Sequence, residues 1–261
     1  MKIGLIGIGF VGGAIRDFFI KTDETLLLYD KYNDNYNDKE SILEADMIFI
    51  CVPTPHMENN GYDISAIEDS LSFLDSHKYN GLVIIKSTVL PGTIDSFSKK
   101  FKLKIIHNPE FLTARTASKD FENQKVIIIG AKDSDIICEL VELYTKHFPD
   151  SIINIVKPSE SESIKIMANS FYSTKIQILN EFYGLCQALG IDYEVVKNNI
   201  VGLGWVNNMH TSVPGHDGKL SYGGACFIKD TRALLDQMKK AHVNHQVLEG
   251  VVNERNIMRD D

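Results

Sequence analysis

The sequence predicts an α/β protein in which a mainly parallel sheet, with helices on both faces, is followed by an all-helical domain entered through a long connecting helix. Short apolar runs alternate with amphipathic segments from residue 2 to residue 156, and continuous apolar strands are typical of parallel sheets covered on both faces. A helical pattern of apolar residues then extends from Ser159 to Gly190. With 44% hydrophobic residues the chain can build a substantial core.

Seven apolar runs are the predicted strands, and the segments between them include four predicted crossover helices. The strands are KIGLIGI (2–8), TLLLYD (25–30), DMIFICV (46–52), GLVIIKS (81–87), LKIIH (103–107), KVIIIG (125–130) and SIINIV (151–156). The helices cover residues 11–19, 64–74, 93–101 and 135–147. Such alternation predicts a doubly wound sheet.

The spacing of apolar residues changes after Pro158. The apolar spacing predicts one long helix that ends at Gly190, then an irregular glycine-rich segment at 202–224, then helix again as far as Met258. We therefore expect one domain at residues 1–157 and a second, helical domain at residues 158–261.

Composition excludes several classes of protein. A formal net charge of −8 and a pI near 5.5 argue against nonspecific binding of nucleic acid. No apolar run approaches the roughly 18 residues of a membrane span, and the N-terminus leads directly into a strand, so we expect a cytoplasmic protein without a membrane partner. The four scattered cysteines predict reduced thiols and no metal site.

A glycine-rich turn, GIGFVG at residues 7–12, follows the first predicted strand and opens a helix. In that context Gly7 can form the tight turn, Gly9 lets the backbone approach a pyrophosphate, and Gly12 allows close packing of the helix. Asp30 ends the second strand, where a carboxylate can accept hydrogen bonds from a ribose and repel a 2′-phosphate. The pattern predicts a Rossmann-like domain that prefers NAD to NADP; the alternative is a turn that serves packing alone.

A series of six motifs spans nearly the whole chain: GIGFVG (7–12), CVPTP (51–55), STVLPGT (87–93), NPEFL (108–112), KIMANSF (165–171) and GGACFIKD (223–230). Their order and spacing resemble the UDP-glucose/GDP-mannose dehydrogenase family, whose members oxidise the C6 alcohol of a nucleotide sugar to a carboxylate in two NAD-dependent steps and serve polysaccharide biosynthesis. The resemblance implies an NAD site formed by Gly7, Gly9, Phe10, Val11, Gly12, Asp30, Pro53, Thr54, Ser87 and Thr88. It also implies a helical central domain and a homodimer.

The candidate catalytic residues are Cys226, Lys165, Asn169, Asp230, Glu110 and Thr88. Lys165 and Asn169 are four residues apart on the predicted long helix, so both project from one face and can hold one substrate oxygen. A Cys226 thiolate can attack an aldehyde, and hydride loss from the thiohemiacetal leaves a thioester.

The resemblance implies that Asp230 shares in proton transfer and that Glu110 helps water to hydrolyse the thioester, while Thr88 positions water or a cofactor group. Each residue also has a plainer interpretation. Asp230 can be a carboxylate at the N-terminus of a helix, Glu110 a loop carboxylate and Thr88 a threonine in a turn. The other cysteines, Cys51, Cys138 and Cys186, are expected to be small buried hydrophobes.

Two features depart from the family pattern. Many relatives carry a second glutamate where this chain has Ala114, followed by Arg115, which leaves the role of Arg115 open between binding a phosphate and packing. The sequence stops at Asp261 and is expected to be a short form without the C-terminal UDP-binding domain. The loop 205–222, with His210, His216 and Lys219, is then a candidate to hold the substrate nucleotide in a dimer; both histidines are expected to be solvated.

UDP-glucose is the expected substrate, with GDP-mannose or another sugar nucleotide as alternatives. Two further functions stay open at this point. A β-hydroxyacid dehydrogenase also combines such a domain with helices, a lysine and an asparagine, but has no need for Cys226. A noncatalytic NAD-binding protein is the third possibility.

Overall fold

A computed structural model describes residues 1–133 and 135–260, so Asp261, the last residue of the predicted second domain, lies outside the described residues. The strands are β1 (Lys2–Ile6), β2 (Thr25–Tyr29), β3 (Met47–Ile50), β4 (His56–Met57), β5 (Gly61–Tyr62), β6 (Leu82–Ile85), β7 (Lys104–His107), β8 (Val126–Gly130) and β9 (Ile152–Val156). The helices are α1 (Phe10–Phe19), α2 (Ser65–Ser76), α3 (Thr93–Lys100), α4 (Ala117–Glu122), α5 (Cys138–His147), α6 (Pro158–Leu189), α7 (Tyr193–Gly202), α8 (Ala225–Lys240) and α9 (Gln246–Met258).

The main sheet has seven strands in the order β2-β1-β3-β6-β7-β8-β9. All neighbouring pairs are parallel except β7 with β8, which is antiparallel. The predicted α/β class with a mainly parallel, doubly wound sheet is confirmed. Because β1, β2, β3, β6 and β7 run in one direction, the segments that follow them meet at one edge of the sheet, where such folds bind their ligands.

Two apolar layers cover the sheet, and alternate residues of β3 show how they form. Met47 and Phe49 pack into one cluster with Ile3, whereas Ile48 packs into the other cluster with Leu71. Successive side chains of a strand point to opposite faces, so both faces of the sheet are buried.

Contacts within the chain define two compact units. The first comprises residues 1–55 and 62–165, and the second comprises residues 56–61 and 166–261. The helix α6 begins in the first unit and continues in the second, and Gly190, just beyond its end, has a φ of +68°, which suits a helix stop. The predicted long helix is thus present, while a domain boundary at Pro158 stays a prediction. None of the described helices is long and apolar enough to cross a membrane.

Candidate active site

The glycine-rich turn has the geometry that a dinucleotide requires. Gly7 has a φ of +89°, and a Cβ on Gly12 would lie only 1.9 Å from the Gly7 carbonyl oxygen. A Cβ on Gly9 would meet no atom within 4 Å, so the backbone there is open to a ligand. Among the described residues, no side chain caps the N-terminus of α1. Its first-turn N–H groups are therefore available to a phosphate.

Asp30 joins the end of β2 to this turn. The Ile8 amide donates to Asp30 Oδ2 at 2.7 Å, and the Tyr32 amide donates to Oδ1 at 2.9 Å. Each carboxylate oxygen keeps a lone pair that can accept a ribose hydroxyl. Asp30 therefore lies where a ribose-binding carboxylate has to lie.

The loops after β3 and β6 are held together at the same edge. Ser87 Oγ donates to the Val52 carbonyl at 2.6 Å, and Thr54 Oγ1 donates to the Thr88 carbonyl at 2.8 Å. These bonds bring the predicted cofactor residues Pro53, Thr54, Ser87 and Thr88 to the carboxyl ends of adjacent parallel strands.

A buried ion pair connects the end of β7 with α6. Lys165 Nζ lies 2.9 Å from Glu110 Oε1, and the two side chains are only 3% and 6% exposed. The Leu112 amide donates to Glu110 Oε2 at 2.6 Å, which fixes the carboxylate further. Lys165 retains two N–H donors beyond the one that it gives to Glu110.

Lys86 is a second buried lysine at this edge, and sequence reasoning missed it. Its Nζ donates to Asn108 Oδ1 at 3.0 Å and to the Pro109 carbonyl at 3.3 Å, so it holds the segment that leads into Glu110. Tyr144 donates to the same Asn108 oxygen. Burial lowers the pKa of Lys86 to about 8, a shift that Glu110 opposes. The only signal in the sequence was a lysine directly before the STV motif.

In the second unit, Asp230 is fully buried between two donors. Asn169 Nδ2 donates to Asp230 Oδ2 at 2.6 Å, and Lys229 Nζ lies 2.6 Å from Oδ1. Asn169 keeps its own carbonyl oxygen and a second N–H available for a ligand. Asn169 also lies one helical turn after Lys165 on α6.

Cys226 is the second residue of α8, a helix that begins directly after Gly224, whose φ of +78° favours glycine. Cys226 and Asp230 are four residues apart on α8 and thus share one face. The structure therefore places a thiol and a buried carboxylate on one helix face.

The other cysteines have different surroundings, and no disulfide joins the four described cysteines. Cys51 and Cys186 pack against apolar clusters, as expected, and burial raises the pKa of the Cys51 thiol to about 12. The expectation that Cys138 is buried is wrong, because it occupies the exposed first position of α5.

The predicted solvated character of the loop histidines holds only for His216, which is exposed. His210 is half-buried, with ring centroids 5.3 Å from Tyr172 and 5.4 Å from Phe227. Burial lowers its pKa, and Lys175 and His216 lower it further. His210 therefore packs beside Phe227, the residue that follows Cys226.

The doubly wound sheet, the open glycine turn and the strand-end carboxylate define a dinucleotide-binding α/β protein with a helical second unit. Residues 29–148 match the NAD binding domain of the UDP-glucose/GDP-mannose dehydrogenase family, and residues 159–256 match the central domain of that family. The chain belongs to this family, and NAD is the cofactor of its N-terminal unit.

Known relatives and structures agree with this membership. The UDP-glucose 6-dehydrogenase of Pseudomonas aeruginosa is 30% identical over 227 residues, which cover 81% of this chain and 49% of that protein. The chain thus spans about half the length of that curated relative. A UDP-glucose dehydrogenase from Pyrobaculum islandicum has the same fold, with a TM-score of 0.87 and 23% identity over 98% of this chain and 68% of that one.

The fold is also found outside the family. A 3-hydroxyisobutyrate dehydrogenase from Mycobacterium tuberculosis has a TM-score of 0.77 at 14% identity, over 99% of this chain and 94% of that one. The fold alone therefore does not distinguish the chemistry of the two classes.

Proposed function

We propose that the chain is an NAD-dependent nucleotide-sugar 6-dehydrogenase that oxidises a C6 alcohol to a carboxylate, with UDP-glucose as its first candidate substrate. The observation that carries the proposal is Cys226 in the first turn of α8, one turn before the buried Asp230. A two-electron alcohol dehydrogenase has no use for a nucleophile there. GDP-mannose and other sugar nucleotides remain alternative substrates.

The four-electron oxidation divides into two hydride transfers and two steps on sulfur. The glycine turn would hold NAD, which would supply the hydride acceptor for both transfers. Lys165 and Asn169 hold the C6 oxygen and stabilise the negative charge that develops as Asp230 accepts its proton. The Cys226 sulfur then adds to the aldehyde carbon, and Asp230 exchanges the proton that the new hydroxyl gains and loses.

Hydrolysis completes the sequence. After the second hydride leaves, the substrate is a thioester of Cys226, and water attacks its carbonyl carbon. Glu110 accepts a proton from that water, and the C–S bond breaks to return the thiol and release the carboxylate. The fixed position of Glu110 between the Leu112 amide and Lys165 supports this role.

The test is the amount of NADH formed per molecule of UDP-glucose or GDP-mannose by the purified protein. We expect about two NADH per sugar with one of the two substrates, and a loss of roughly 100-fold or more in turnover for Cys226→Ser. Cys138→Ser, at an exposed position of the first unit, is the matched control and should leave turnover unchanged.

Other outcomes would favour other functions. One NADH per substrate with full turnover in Cys226→Ser would indicate a two-electron alcohol dehydrogenase of the β-hydroxyacid type. NAD⁺ binding without turnover on any sugar nucleotide would indicate a noncatalytic NAD-binding protein.

The proposal extends to organisation and location. We assign residues 1–157 to cofactor binding and residues 158–261 to the helical domain with the nucleophile. The second unit exposes apolar side chains on one stripe of α6, namely Met167, Phe171, Ile178, Phe182, Leu185 and Leu189, which favours a homodimer through this helix. Use of NAD and a nucleotide sugar favours the cytoplasm.

A further inference from the structure

A cavity of about 580 Å³ lies beside the glycine-rich turn, within the first unit. Its lining residues come from the turn and helix α1, between Ile8 and Asp17, and from the segment from Ala114 to Lys119, which includes the start of α4. Gly9, Gly13 and Ala114 line it with little or no side chain. The cavity is therefore wide enough for a polar ligand to reach the backbone of the turn.

Two cations line this cavity without a partner. Arg115 and Lys119 are exposed, and neither side chain has a hydrogen bond or ion pair with another described residue. Both line the same cavity as Gly9 and Phe10 at the start of α1, where no described side chain caps the first-turn N–H groups. Two positive side chains and free backbone donors around one cavity are suited to a doubly charged anion.

The remaining charges at the cavity are already balanced. Arg16 Nη2 lies 2.6 Å from Asp17 Oδ1, and Ser118 donates to Asp17 Oδ2 at 3.2 Å. Asp120, next to Lys119 in the chain, accepts hydrogen bonds at 2.8 Å from the Thr113 amide and at 2.8 Å from the Thr116 hydroxyl. Both carboxylates are thus occupied by local donors.

We propose that Arg115 and Lys119 bind the diphosphate of the dinucleotide cofactor from the side opposite the glycine-rich turn. This inference rests on the cofactor assignment of the proposed function. The same cavity contains Ile8, whose amide is bonded to Asp30. A dinucleotide with its ribose at Asp30 therefore has its diphosphate within this cavity, between the N-terminus of α1 and the two cations.

This assignment gives a reason for the departure from the family pattern. A glutamate at position 114 would add a negative charge to the cavity wall, whereas Ala114 followed by Arg115 gives a positive one. The charge of this short segment thus favours an anion in the cavity. Arg115 is a cofactor-binding residue in this chain rather than a packing residue.

The test compares ligands that do and do not carry the diphosphate, by calorimetry on the purified chain. Arg115→Ala should weaken NAD⁺ and ADP-ribose about tenfold and leave adenosine nearly unchanged, because a charged hydrogen bond to phosphate is lost. Arg115→Lys should recover part of the affinity, and Lys119→Ala should act in the same direction with a smaller factor. Lys99→Ala, an exposed lysine on α3, is the control and should bind NAD⁺ as the unchanged protein does.

Three results with a protein that binds NAD⁺ would overturn the proposal. Equal losses for adenosine and NAD⁺ would mean that Arg115 supports the fold of the site. Unchanged NAD⁺ binding with weaker UDP-glucose binding would assign the cation to the substrate diphosphate instead. Unchanged NAD⁺ binding with unchanged UDP-glucose binding would make it a surface residue. If the unaltered protein bound no NAD⁺, the proposed function would fail together with this inference.

Discussion

Removing one charge from the buried Lys165–Glu110 pair should cost more stability than removing both. Glu110→Gln leaves a buried ammonium without a carboxylate, and Lys165→Met leaves a buried carboxylate without its cation. Breaking a buried pair costs about 3–5 kcal/mol, and the 3% and 6% exposure of the two side chains makes that range applicable here. Replacing both partners removes both desolvation penalties, so the double variant should lie within about 1 kcal/mol of the unchanged protein.

The assay is a double-mutant cycle by urea denaturation, with turnover measured on the same samples. The exposed pair Lys100–Glu68, with its charged atoms 2.7 Å apart and side chains 53% and 37% exposed, is the control and should couple by less than about 1 kcal/mol. We expect recovery of stability in the Glu110→Gln/Lys165→Met variant without recovery of turnover. Stability losses that simply add would refute the pairing, and restored turnover would refute the catalytic roles.

Three further predictions follow from single contacts. Burial lowers the pKa of Lys86 to about 8, against 10.5 when exposed, so the unfolded chain binds more protons than the folded chain between those two pH values. The free energy of unfolding should therefore rise by roughly 2 kcal/mol from pH 7 to pH 9.5, as buried Lys86 loses its proton. Urea titrations of Lys86→Met over the same pH range should lack this rise. Gly12→Ala should lower the free energy of unfolding by about 1–3 kcal/mol and weaken NAD⁺ binding, because its Cβ would lie 1.9 Å from a carbonyl oxygen. The Gly13→Ala variant, whose Cβ would lie 4.0 Å from the nearest atom, should unfold at nearly the same temperature as the unchanged protein. Leu185→Asp should give a monomer by analytical ultracentrifugation at micromolar concentration, and Gln187→Asp on the same helix should not.

The strands could be predicted because each buried strand is a continuous apolar run, but their directions could not. LKIIH and KVIIIG have the same apolar character, although β7 and β8 pair antiparallel. The residues of an apolar strand do not show whether the neighbouring strand runs parallel or antiparallel to it. The hairpin β4–β5 was also missed, because strands of two residues have no periodicity to detect.

The motifs of the site could be predicted because their chemistry depends on local sequence. The glycine turn, Cys226 and the Lys165–Asn169 spacing each lie within a few residues. Contacts between distant residues could not be predicted: Glu110 and Lys165 are 55 positions apart, and Asn169 and Asp230 are 61 apart. Cys138 shows the opposite error, since an apolar neighbourhood in sequence did not reveal that it begins a helix at the surface.

Lys86 is a buried lysine whose own hydrogen-bond partners include no carboxylate, and its position at this edge of the sheet suggests a reason for keeping it. Its hydrogen-bond partners Asn108 and Pro109 supply neutral oxygens, so Lys86, Lys165 and Glu110 together carry one excess positive charge in a buried region. An apolar side chain in place of Lys86 would avoid the free-energy cost of taking this charge out of water. A fixed positive charge near Glu110 and Lys165 lowers the energy of any state in which negative charge develops there. Alkoxide formation and attack of water on a thioester both create such charge, so Lys86 would lower the activation free energies of the proposed reaction while its burial costs folding stability.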